Sequence, residues 1–202
     1  MNSLRIIGGE WRRRILRFPD LPGLRPTPDR VRETLFNWLG QDLRGLCCVD
    51  LFAGSGALGF EAASRGAHRV WLVDDSPEVV KSLEATAQLL GAGERVRVVR
   101  SDAVRFSSAA ERRFDLVFLD PPFRLGWIDR LAPLLPALVH PRGLLYVEAE
   151  RALDEFGSWQ TVRHGRAGQV YYHLMQQRGE ADDAKQTGGN LRGNLRPNDA
   201  GP

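Results

Sequence analysis

Residues 50–59 read Asp50-Leu51-Phe52-Ala53-Gly54-Ser55-Gly56-Ala57-Leu58-Gly59. The apolar run Leu46 to Val49 precedes them and the helical pattern Ala57 to Arg65 follows, so the stretch is a strand-to-helix turn carrying Gly54-x-Gly56-x-x-Gly59. Glycines at that spacing let the backbone turn sharply and approach a ligand closely. Taken alone the spacing is a weak signal, because nicotinamide enzymes and ligand-free turns use it as well.

Outward from this turn, short apolar runs alternate with helical patterns: Arg69 to Val73, Pro77 to Leu90, Val96 to Val99, Phe114 to Leu119 and Leu144 to Val147. Such alternation predicts an α/β fold with a mostly parallel sheet covered on both faces. Past Glu150, Trp159 to Arg163 and Gln169 to Met175 flank residues 164–168 with no helix between them, which reads as an antiparallel hairpin closing the sheet edge. Before residue 46 a small basic β-hairpin is expected from Leu4 to Phe18, turning at Gly8-Gly9, then a loop from Pro19 to Pro26. Thr27-Pro28-Asp29 reads as a helix start with Thr27 as N-cap, and Val31, Leu35, Trp38 and Leu39 give that helix one apolar face ending at Gly40. The chain therefore divides into a basic hairpin and loop (1–26), a main domain (27–177) and a tail (178–202) too poor in apolar residues to fold, expected to be disordered.

With 202 residues, 43% hydrophobic and 26% charged, one full core is expected and two are not. Cys47 and Cys48 are adjacent, which suits neither a disulfide framework nor a zinc site, and His68, His140, His164 and His173 are scattered, so no metal is assigned. No apolar run approaches the ~20 residues that span a bilayer, and no leader pattern is evident; a soluble cytoplasmic protein, monomeric by default, is expected. The net charge of +3 hides an asymmetry: residues 1–32 hold eight arginines against Glu10, Asp20 and Asp29, net +5, leaving about −2 for the remainder. Concentrated basic charge is a footprint for a polyanion.

A carboxylate follows each of the first three main-domain strands: Asp50, then Asp74 with Asp75 beside it, then Asp102 before Ala103. Carboxyl ends of parallel strands line one crevice. Three anions there would repel a pyrophosphate, whereas S-adenosylmethionine brings a sulfonium and an ammonium against one carboxylate. Asp74 suits the ribose hydroxyls, Asp102 the adenine amine, and Asp50 the methionine amine or the glycine turn itself. Each aspartate alone would pass for a turn or N-cap residue; one per strand end is harder to explain that way.

Asp120-Pro121-Pro122-Phe123 follows the best-defined strand, Phe114 to Leu119. Two prolines stop the ladder and stiffen the backbone. An acid before them and an aromatic after them suit an amino group on a flat heterocycle, the ring stacked on Phe123 and its N–H bonds directed at Asp120 and the Pro121 carbonyl. An exocyclic amine is a poor nucleophile because its lone pair is delocalised; accepting its protons concentrates density on nitrogen. A base inside a helix cannot reach such a loop and must be unpaired or flipped out.

These motifs resemble the amino-methyltransferases, and residues 5–12, 24–39 and 168–170, from Arg5-Ile6-Ile7-Gly8-Gly9-Glu10-Trp11-Arg12 to Gly168-Gln169-Val170, resemble the RsmD family over roughly residues 4–177. The resemblance implies a Rossmann-like class I methyltransferase with a seven-stranded sheet, methylating guanine N2 at one position of 16S ribosomal RNA, free or within a small-subunit intermediate. It implies that Asp120, Pro121, Pro122 and Phe123 hold the guanine. Asp50, Phe52, Ala53, Gly54, Ser55, Gly56, Asp74 or Asp75, Asp102 and Ala103 would hold S-adenosylmethionine. Arg5, Trp11, Arg12, Arg13, Arg14, Arg25, Thr27, Arg30 and Arg32 would border or grip the RNA.

Three rival readings remain at the level of residues. A DNA adenine-N6 methyltransferase would use the same Asp-Pro-Pro-aromatic chemistry, although the chain leaves no room for a separate DNA-recognition domain. A non-catalytic RNA-binding assembly protein would use the basic hairpin and leave the strand-end acids unexplained. A nicotinamide-dependent reductase rests on the glycine spacing and is opposed by the acidic crevice.

Overall fold

A computed structural model describes residues 2–178; the tail expected to be disordered lies outside the described residues from position 179 onward. The main sheet holds β3 (Cys47–Asp50), β4 (Arg69–Asp74), β5 (Val96–Arg100), β6 (Phe114–Leu119), β7 (Val139–Ala149), β8 (Glu155–Phe156), β9 (Trp159–Ala167) and β10 (Val170–Gln177) in the order β5-β4-β3-β6-β7-β10-β9-β8. β5 through β7 run parallel; β7, β10, β9 and β8 pair antiparallel. The two-residue β8 is an addition to the seven strands expected, paired on the free edge of β9. The chain order reverses between neighbours β3 and β6, and such a switch point opens a crevice at the strands' carboxyl ends.

Helices cover both faces. On one side lie α1 (Asp29–Leu39), α2 (Ala57–Ser64) and α3 (Pro77–Leu89), sealing a core that includes Leu35, Phe36, Phe60, Leu83, Phe118 and Tyr146. On the other, α4 (Ala103–Ala109), α5 (Trp127–Leu131) and α6 (Leu135–Leu138) close over Val49, Phe114, Val117, Leu135 and Met175. β6 is buried at every position, as a central strand covered on both faces must be.

The N-terminal hairpin pairs β1 (Asn2–Arg5) with β2 (Ile15–Phe18). Its turn is not the tight one expected at Gly8-Gly9 but the nine residues Ile6–Arg14, because that loop is drawn onto α2. The Glu61 carboxylate accepts the amides of Ile7 (2.9 Å) and Gly8 (2.8 Å), while Ser64 Oγ donates to the Gly8 carbonyl at 2.6 Å. At Gly9, with φ +76°, a Cβ would fall 1.9 Å from the Ser64 carbonyl oxygen, so only glycine fits.

Glu61 is a buried hub. It also accepts from Arg32 Nη1 at 3.2 Å and from Arg65 Nη2 at 2.7 Å. Arg32 in turn donates to the carbonyls of Arg5 and Thr27 and pairs with Asp29. With every acceptor and donor matched, the charges are tolerable inside, and the cluster ties hairpin, α1 and α2 together.

α1 begins at Asp29 with Pro28 in the N-cap position and no side-chain cap. The expected capping role of Thr27 is therefore corrected: its hydroxyl turns toward Asp120 instead.

Candidate active site

The glycine turn is built as its spacing predicts. Gly54 and Gly56 have φ +48° and +77°, and a Cβ on Gly56 would meet the Phe60 ring at 2.4 Å. Asp50 Oδ2 accepts the Gly59 amide at 3.2 Å and pins the start of α2. Its Oδ1 is buried and has no hydrogen-bond partner among the described residues. A carboxylate left this way is costly to ionise, and burial pushes the Asp50 carboxyl up to about 7 despite amide donors from Gly59 and Phe52. An orphaned acidic oxygen in the crevice is a socket for a cationic group such as an ammonium.

Asp74 ends β4 and faces the turn: Oδ2 accepts the Gly54 amide and Oδ1 the Ser76 amide, each at 3.0 Å. Asp75 is exposed. Asp102 caps α4, its Oδ1 accepting from Val104 and Arg105, and its Oδ2 carries no hydrogen bond among the described residues. The cap thus occupies one Asp102 oxygen and leaves the other clear of it. Phe52 packs edge-on against Trp127 at 5.2 Å, Ala53 and Ser55 are buried within the turn, and Ala103 is buried behind Asp102.

Asp120 leaves β6 on the same face as Asp50, since Asp50 pairs with Phe118 two residues earlier and side chains alternate. Pro121 is buried, whereas Pro122 and Phe123 stand exposed on the loop, Phe123 at 39%. Beside Asp120, at the next position of β7, lies Glu148, because Leu119 pairs with Val147. Thr27 stands by both carboxyls: its hydroxyl donates to Asp120 Oδ2 at 3.5 Å and its proximity favours the ionised form of Glu148. Tyr146 donates its phenol to Glu148 Oε1 at 2.8 Å. Burial, then the neighbouring charges of Glu148 and Asp50, hold Asp120 well above the usual carboxylate range. Burial raises Glu148 too, opposed by its Tyr146 and Thr27 donors. A cleft of about 170 Å³ is lined by Pro121, Pro122, Phe123, Trp127, Glu148 and Leu153 among others, so it includes the loop after Asp120 and the neighbouring Glu148.

Glu148 and Tyr146 had no place in the sequence-based site. The signal was available, because Glu148 follows the run Leu144 to Val147 as Asp50, Asp74 and Asp102 follow theirs.

The basic residues divide. Arg25 and Arg30 are exposed on either side of Thr27, next to Asp120. Arg12, Arg13 and Arg14 are exposed on the loop at the C-terminal end of α2, the end remote from the glycine turn, and Arg14 bonds the Leu89 carbonyl at the far end of α3. Eight helical residues put roughly 12 Å between the two ends of α2. Arg5 is exposed on β1. Two expectations are corrected: Arg32 is fully enclosed by Glu61, Asp29 and two carbonyls, and Trp11 is 5% exposed beneath Arg95. Neither side chain presents a surface to RNA.

A family profile described as conserved hypothetical protein 95, that of the RsmD methyltransferases, matches residues 4–176. The Escherichia coli K12 protein named ribosomal RNA small subunit methyltransferase D is 45% identical over 187 residues, covering 89% of this chain and 94% of its own. The chain belongs to the RsmD family. It is a methyltransferase of Rossmann-like α/β fold. The Haemophilus influenzae protein of the same name is 39% identical over 86% of this chain and 94% of its own length. Among solved structures, the Escherichia coli protein yhhF superposes with a TM-score of 0.78 at 43% identity, over 87% of this chain and 98% of that one. An RNA methyltransferase from Salinibacter ruber, crystallised with S-adenosyl-L-homocysteine, shares the fold at 18% identity and a TM-score of 0.62, over 80% of this chain and all of that one.

Proposed function

We propose that this chain transfers a methyl group from S-adenosylmethionine to the exocyclic N2 of a guanine in small-subunit ribosomal RNA, acting as a cytoplasmic monomer on free RNA or an assembling subunit. The observation that carries it is the half-buried Asp120 carboxyl, one strand away from the orphaned Asp50 oxygen on the same sheet face and followed by a stiff Pro-Pro-Phe loop. The names of the relatives supply the substrate class.

S-adenosylmethionine brings an electrophilic methyl on a sulfonium. Asp50 ionises to receive its ammonium through Oδ1, while the backbone from Phe52 to Gly56 lies along the methionine portion. Asp74, already oriented by two amides, takes the ribose hydroxyls; the free oxygen of Asp102, beside the Ala103 amide, takes the adenine amine. On the acceptor side, Phe123 stacks the unpaired base, and Asp120 with the Pro121 carbonyl accepts the N–H bonds of its amine. The nitrogen lone pair is thereby freed to face the methyl in line; as the N–C bond forms the S–C bond would break, leaving S-adenosylhomocysteine, and Asp120 would take the proton lost from nitrogen. Arg25 and Arg30 sit where the RNA backbone would enter, with Arg5 and Arg12 to Arg14 reaching a more distant segment.

The test is methyl transfer from labelled S-adenosylmethionine to small ribosomal subunits lacking the modification, comparing wild type with Asp120→Ala and mapping the label. Label on one guanine N2, lost in the variant, is the expected result. Label on adenine, or none on subunits and free ribosomal RNA while the donor still binds, would move the substrate elsewhere.

A further inference from the structure

Asp120 alone does not choose between bases, since guanine and adenine both offer it an amine. The group beside it does distinguish them. Glu148 stands next to Asp120 along the carboxyl edge of the sheet, one strand spacing away and on the same face. The Thr27 hydroxyl stands by this pair, donating to Asp120 Oδ2 at 3.5 Å and near enough to Glu148 to favour its ionised form. Tyr146, itself fully buried, fixes Glu148 from behind through Oε1. Among the described residues Glu148 accepts from the Tyr146 hydroxyl, and the buried Arg32 of α1 spends its donors on Glu61, Asp29 and two carbonyls. Two adjoining carboxyls, ionised when N–H donors face them, match an edge that offers only donors.

Guanine has that edge: its N2–H bonds lie beside N1–H. Adenine sets its amine beside N1, an acceptor, which an anionic oxygen repels. We infer that Glu148 is the specificity-determining residue of the acceptor site, accepting the guanine N1–H while Asp120 accepts from N2, with Thr27 yielding its place to the base. This rests on the guanine reading above and adds to it the group that selects the base.

The experiment is single-turnover methyl transfer to a small-subunit RNA carrying either guanine or 2-aminopurine at the modified position. 2-Aminopurine keeps the amine at C2 but has an unprotonated N1. Wild type is expected to prefer guanine by about tenfold or more, the discrimination a matched pair on a base edge supplies. Glu148→Gln, whose amide can donate to N1, is expected to shrink that preference to about threefold or less, with donor affinity unchanged by calorimetry. Equal wild-type rates on the two bases, or a preference that persists in Glu148→Gln, would overturn the inference while leaving guanine methylation intact. Should the glutamine variant not fold, Glu148→Ala also removes the acceptor and must shrink the preference too. Transfer to adenine alone would instead sink the underlying reading.

Discussion

Asp50 carries one oxygen bonded to Gly59 and one with no partner, and its carboxyl is raised to about 7. In the free protein at pH 6 it is therefore mostly neutral, whereas an ammonium at Oδ1 favours the anion. Donor binding near pH 6 should release up to one proton, measurable as the dependence of calorimetric enthalpy on buffer ionisation, and Asp50→Asn should abolish the release. Binding without proton release would show that Asp50 only braces the turn. The strand-end acids were legible as residues because each follows an apolar run at a fixed place. What a single position could not reveal was direction: Asp74 and Asp75 are identical side chains, and only the hydrogen bonds from Gly54 and Ser76 show which one faces the crevice. Arg32 was illegible for a related reason. Its partner Glu61 is 29 positions away, so an arginine in a basic segment reads as surface until the fold closes around it.

Elements held by few contacts depend on single hubs, and the N-terminal hairpin depends on Glu61 and Gly9. Removing Glu61 leaves two buried arginines without their carboxylate, a change that costs about 3–5 kcal/mol in such clusters. Glu61→Ala should lose that much in denaturant unfolding, and a loss under about 1 kcal/mol would mean the cluster is wet or dispensable. Gly9→Ala forces both the left-handed backbone and a Cβ against Ser64, so limited proteolysis should cut its hairpin loop faster than in wild type. The alternation of runs placed the parallel strands and helices α1 to α3 in the sequence, since periodicity is local, but the short α4, α5 and α6 carry too few turns to show it. The length of the Ile6–Arg14 loop was not visible, because it is set by α2, more than fifty residues on.

At the scale of the whole molecule, the carboxyls that burial raises, Asp50 among them, each favour the folded state more at acid than at neutral pH. Asp50 has a folded value above its ordinary 3.8, so it contributes most below that value and loses the contribution as pH rises through about 7. Asp50→Asn should gain on wild type, on the order of 2 kcal/mol, between pH 5 and pH 8 in donor-free unfolding titrations. The opposite trend would mean that the carboxylate is solvated. Charge is distributed on the same scale: Arg25 and Arg30 sit by the site and Arg12 to Arg14 at the far end of α2, so affinity for RNA should fall with salt by about 0.7 log units per phosphate contact and decade. Charge reversal at Arg12 to Arg14 should lower that slope without changing the rate in the bound complex.

The two halves of the site also have different histories in the making of the chain. Everything assigned to the donor, from Asp50 through Asp102 with its cap on α4, is one unbroken stretch of β3 to α4. The acceptor half is gathered from Thr27, Asp120 and Glu148, with 93 positions separating the first two. During synthesis on the ribosome the donor stretch is complete before β6 has left the exit tunnel, while the acceptor half must wait for β7. A nascent chain halted after residue 112 would hold every donor residue and no means of using it.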